Sequence, residues 1–128
     1  MAHELHAEDR QAIGETLSLH GHLFDGGHLD RLGEIFTPDV VYDMSAVGVG
    51  TFEGIEAVRG AALRLGPGNP VAHHLANVVV SGGGDGTATA LSKGLALLAL
   101  HEREGRGHNG KHTGAGLPFH EVRSTLRY

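Results

Sequence analysis

Cysteine and tryptophan are both missing from the 128 residues. Without cysteine there is neither a disulfide framework nor thiolate chemistry. Long apolar runs are missing too. None approaches the roughly 20 residues that cross a bilayer, so no membrane partner is expected. Basic residues are outnumbered, ten Lys and Arg against fifteen Asp and Glu, for a net charge of −5 with histidines neutral. They are also scattered, whereas nucleic-acid binders gather them into a face that neutralises phosphates. No nucleic-acid partner is expected. The opening MAHELHAEDRQ is acidic and polar, unlike a secretory leader, and the expected location is the cytoplasm.

What is present is a globular composition, 40% apolar and 20% charged, with 21 glycines and 11 histidines. The length suits one domain over residues 1–128. From Ala7 to Phe24, Ile13, Leu17, His20 and Phe24 recur at helical spacing, and Glu8, Asp9, Arg10 and Glu15 supply a wet face. Asp25 stands at the end of that helix, before Gly26-Gly27. A second helix is predicted over residues 28–36 and is stopped by Thr37-Pro38. A first strand over Val40–Ser45 puts Val40, Tyr42 and Met44 on one face and Asp43 on the other. Thr51-Phe52 reads as a brief return strand, and a third helix spans about 54–65 with Ile55, Val58, Ala62 and Leu65 inward.

VAHHLANVVVS at 71–81 reads as a valine-rich strand. Strict alternation groups His74, Ala76, Val78 and Val80 against His73, Leu75, Asn77 and Val79. GGGDG links it to a long strand over about Thr87–His101, the most specific hairpin signal in the chain. Residues 102–121 are glycine-rich and poorly specified, and a last strand is predicted over about Phe119–Tyr128.

FDGGHLDRLGEIFTPDVVYD, then FEGIEAVR, then HHLAN, together resemble the SnoaL-like branch of the nuclear transport factor two-like superfamily, which holds polyketide cyclases and scytalone-type dehydratases. The resemblance covers about residues 7–100. It implies a cone-shaped α+β barrel, a curved mixed or antiparallel sheet with three N-terminal helices closing a pocket. Tryptophan, usual in the last strand of that family, has no counterpart here.

The resemblance also implies a site. In the dehydratases an Asp at the end of the first helix faces a His on a sheet strand, which by motif position are Asp25 and His74. A carboxylate bonded to one ring nitrogen fixes the imidazole's tautomer, and the other nitrogen can move a proton. His20, Phe24, Tyr42 and Met44 would line the pocket and bind substrate. Phe24 and Met44 stand where the fungal dehydratase has tyrosines, and Tyr42 can supply one hydroxyl. The strand-one Asp of the ketosteroid isomerases aligns with Met44, which leaves Asp43 a rim or turn-capping residue. The implied activity is that of a lyase, cyclase or isomerase moving protons without a cofactor on a small hydrophobic cyclic or polyketide-like molecule. A non-catalytic ligand-binding or dimerisation module on the same fold is the alternative.

No metal is expected. His20 and His22 diverge on a helix, His73 and His74 on a strand, and His108 and His112 sit in a glycine-rich loop. A homodimer is expected, because the helices cover only one face of the sheet and apolar residues alternate along Thr87–His101.

Overall fold

The computed structural model describes residues 4–66, 69–97 and the backbone of 120–127. In chain order it contains helix α1 (Ala7–Asp25), a 3₁₀ segment (Leu29–Glu34), strand β1 (Val41–Met44), a short 3₁₀ turn (Ser45–Val47), β2 (Gly50–Glu53), helix α2 (Ile55–Leu65), β3 (Ala72–Gly82), β4 (Thr87–Leu97) and β5 (His120–Arg127). The architecture is α+β, with antiparallel sheets and packed helical segments. Among the described residues the strands form two sheets, β1–β2 and β3–β4–β5, and no closed barrel. Residues 98–119, which include the expected end of the long strand, most of the glycine-rich stretch and His108 and His112, lie outside the described residues.

Helix α1 packs along β3. Leu5, Ile13 and Leu17 are buried against Ala88 and Ala90 of β4, with Leu75 and Val80 of β3 completing the cluster. Small alanines on the inner face of β4 let the helix approach closely. Leu23 of α1, Leu32 of the Leu29–Glu34 segment and Val58 of α2 are the largest fully buried side chains among the described residues. The third helix follows its predicted stripe at Val58 and Ala62, but Leu65 at its end is 47% exposed.

Two predicted elements differ in kind. The second helix is a 3₁₀ segment of six residues, cut short before Thr37-Pro38, since so brief a piece has little room for i→i−4 bonds. Strand β3 does not alternate strictly. Ala76 pairs with Lys93 but Val79 pairs with Leu91, so Asn77 and Val78 together oppose Ser92. Asn77 carries φ 55°. This is a β-bulge, and beyond it every side chain changes face. His73, Leu75 and Val80 consequently share the inner face, a grouping that strict alternation forbids.

Candidate functional site

The site begins at the end of α1. The His28 amide donates to the Leu23 carbonyl at 2.8 Å and the Gly27 amide to that of Phe24 at 3.2 Å, with Gly27 at φ 71°. Those two bonds make a Schellman cap, which fixes the last turn and with it Asp25. A carboxylate here opposes the negative end of the helix dipole. Two donors on β3 offset this. The His73 amide donates to Asp25 Oδ2 at 2.9 Å, and its ring Nδ1 is 2.5 Å from Asp25 Oδ1. As a carboxylate Asp25 only accepts, so Nδ1 carries the hydrogen, and in the neutral imidazole Nε2 then keeps its lone pair.

The predicted contact of Asp25 with His74 is therefore not made. His74 is exposed and lies on the outer face of β3, opposite Leu95. The reason is the bulge at Asn77, which turns the neighbouring histidine inward. Gly21 permits the approach of helix and strand, because a Cβ there would stand 3.3 Å from both the Cβ and the carbonyl oxygen of His73.

Three of the other predicted lining residues, His20, Phe24 and Tyr42, gather beside this pair. His20 lies one turn before Phe24 on α1, with ring centroids 4.7 Å apart. Its Nε2 is 2.9 Å from the Tyr42 hydroxyl on β1. Tyr42 lies nearly parallel to Phe24 at 6.1 Å, and His20 meets His73 edge-on at 5.9 Å. Met44 is half-buried on the Tyr42 face of β1. Phe36, which sequence reasoning passed over, closes the group at 5.6 Å from Tyr42 and 5.9 Å from His20. Its only sequence signal is an aromatic residue just before the Thr37-Pro38 stop.

Burial sets the charge state of this cluster. Desolvation, reinforced by His73 and opposed by Asp25, lowers the His20 pKa from 6.5 to about 4. Desolvation likewise raises the Tyr42 phenol to about 12. At neutral pH both are uncharged, a polar pair in an aromatic setting. Asp43 is elsewhere in function. Its Oδ1 accepts from the Ser45 amide and the Thr51 hydroxyl, each at 2.9 Å. Bonds from Ser45, side chain before backbone, and then from Thr51 hold its carboxyl below the usual carboxylate range. It caps the β1–β2 turn.

His20 yields a pH prediction. Between about 4 and 6.5 the unfolded chain binds the proton that folded His20 refuses. Stability is thus complete above about 6.5 and is lost as pH falls through about 4. The expected loss from pH 7 to pH 4.5 is roughly 2 kcal/mol, allowing for partial exposure of the residue. Urea titrations at both pH values check it, and His20→Leu should flatten this part of the dependence.

Two surface depressions lie away from the cluster, one against Pro38, Gly54 and Arg59, the other along Gln11, Glu15, His22 and Val78. Among the described residues no three His, Asp or Glu side chains are placed to hold a metal ion. No described helix is long and apolar enough to cross a membrane.

The profile of the SnoaL-like domain family matches residues 5–124 of the chain. Among solved structures, Aln2 from a Streptomyces species, determined at 1.8 Å, superposes with a TM-score of 0.72 at 16% identity, covering 98% of this chain and 83% of that one. At that identity the likeness speaks to the fold alone. No curated protein matches the chain.

Proposed function

The chain belongs to the SnoaL-like domain family, and from that premise we propose that it is a cofactor-independent enzyme moving protons on a small hydrophobic cyclic or polyketide-like ketone. The observation that carries the reading is the pair of hydrogen bonds that the Asp25 carboxylate accepts from the amide and the ring of His73. Asp25 orients the imidazole, and His73 Nε2 takes a proton from the carbon next to a carbonyl. The released electron pair moves onto the carbonyl oxygen, giving an enolate. Tyr42 donates a hydrogen bond to that oxygen when His20 Nε2 carries hydrogen and leaves the phenolic O–H free. The imidazolium then returns its proton, either to another carbon or to a departing hydroxyl, which leaves as water. Phe24 and Met44 supply apolar contact.

Proton abstraction is readable without knowing the natural substrate. Simple cyclic monoketones, whose uncatalysed exchange is slow at neutral pH, should gain deuterium at the carbon next to the carbonyl faster with the protein than without it in D₂O, as followed by NMR. The assay overturns the reading if a His73→Ala variant exchanges deuterium at the full rate.

A second reading draws on the same carboxylate. Because Asp25 also ties down a backbone amide of β3, the pair can serve as a structural clamp in a non-catalytic binding module. That reading predicts ligand binding with no acceleration of deuterium exchange by the native chain or any variant.

The outer face of β3 and β4 supports a homodimer. Val79 and Leu97 there are 57% and 40% exposed, beside Leu91 and Leu95 on the same face. Sedimentation at micromolar concentration should give twice the chain mass, and a monomer would contradict the proposal.

A further inference from the structure

We propose that Asn77 is a positioning residue, whose left-handed backbone places one extra residue in β3 and so selects His73, rather than His74, to face Asp25. The inference stands on the Asp25–His73 geometry and does not depend on the catalytic reading.

Tandem histidines on a strand point to opposite faces, so the register of β3 decides which of the two meets Asp25. That register is pinned on both sides of the bulge. Beyond it, Val80 packs into the core with Ile13 and Leu17, and its carbonyl accepts from Arg10 Nη1 at 2.7 Å. Before it, His73 pairs with Ala96 and Leu75 with Gly94. Leu75 and Val80 stand an odd number of positions apart, so a regular strand cannot turn both inward. Strand β4 carries no compensating irregularity, since Ala88, Ala90 and Ser92 are buried in strict alternation. The whole adjustment falls on Asn77 and Val78.

A bulge whose first residue is left-handed favours glycine, and asparagine is the side chain that best tolerates the same dihedrals. Asn77 is the one non-glycine residue with positive φ among the described residues. It is also exposed, so its identity acts through backbone preference and not through packing. Were residue 77 confined to extended dihedrals, a regular strand holding Val80 in place would turn His74 toward Asp25 and His73 outward.

The test uses three variants of the full chain, read by NMR of the histidine ring nitrogens and by amide hydrogen exchange. Asn77→Gly keeps the favoured dihedrals and should keep both the His73 Nδ1–H signal and the protection of the His73 amide. Asn77→Val disfavours them. It should lose the ring signal, or pass it to His74, and lower protection of the His73 amide at least tenfold. Deletion of Asn77 removes the extra residue while leaving His73, Leu75 and Val80 on one face, so it should retain the His73 signals. It decides the matter if the valine variant does not fold. Unaltered His73 signals in Asn77→Val, or their loss in either Asn77→Gly or the deletion, would overturn the proposal. Activity need not be measured, so failure here leaves the proton-transfer reading untouched.

Discussion

Replacing Asp25 by Ala is expected to destabilise the fold by about 3 kcal/mol. Asp25 accepts two hydrogen bonds from His73, and bonds to a charged group contribute about 1.5–3 kcal/mol each. The carboxyl and imidazole side chains are only 22% and 24% exposed, so water replaces them poorly. Alanine would leave a strand amide and a ring nitrogen without their partner. One term opposes this. Removing negative charge from a helix C-terminus recovers about 0.3–1 kcal/mol. The substitution Asp25→Asn, which keeps one acceptor oxygen, should lose about half as much. Urea unfolding with an unchanged slope measures both. A shift within about 0.5 kcal/mol, the range of ordinary surface substitutions, would mean the clamp is not formed.

His73→Ala should slow deuterium exchange by about 10²–10⁴-fold, the usual worth of a positioned general base. His74→Ala should change it less than about threefold, within the range of surface effects, because that side chain sits on the outer face of β3. The contrast between adjacent residues is the informative part. Because His73→Ala also removes the ring bond to Asp25, its urea midpoint is measured beside the rate, and a rate loss under conditions where the variant stays folded marks a specific role for the inward imidazole. Equal losses in the two variants would sink the assignment of His73 as the base.

Much of this site is legible in the sequence. Asp25 is marked by the glycine pair that follows it, and the helical spacing of His20 and Phe24 places both beside it. Tyr42 and Met44 follow from a strand opened by Pro38. The GGGDG link locates the β3–β4 hairpin, although only the portion to Leu97 lies within the described residues. The inward histidine is not legible by alternation, because period-two reasoning assumes an unbroken strand. A His-x-x-Asn spacing counted back from Asn77 lands on His74, one residue short. The warning sign is Asn77 itself, since asparagine is depleted in strand interiors and enriched where φ is positive. Phe36 escapes notice for a related reason. Its approach to Tyr42 depends on the 3₁₀ path of Leu29–Glu34, which helical spacing does not describe.

Everything proposed for the site depends on Asp25 holding the imidazole of His73 through Nδ1. Long-range ¹⁵N–¹H NMR of the histidine rings, in the native chain and in Asp25→Asn, tests that contact directly. The expected result for the neutral His73 ring in the native chain is the tautomer with hydrogen on Nδ1, perturbed by the substitution, with the His74 ring unchanged. A His74 ring that responds while His73 does not would contradict it.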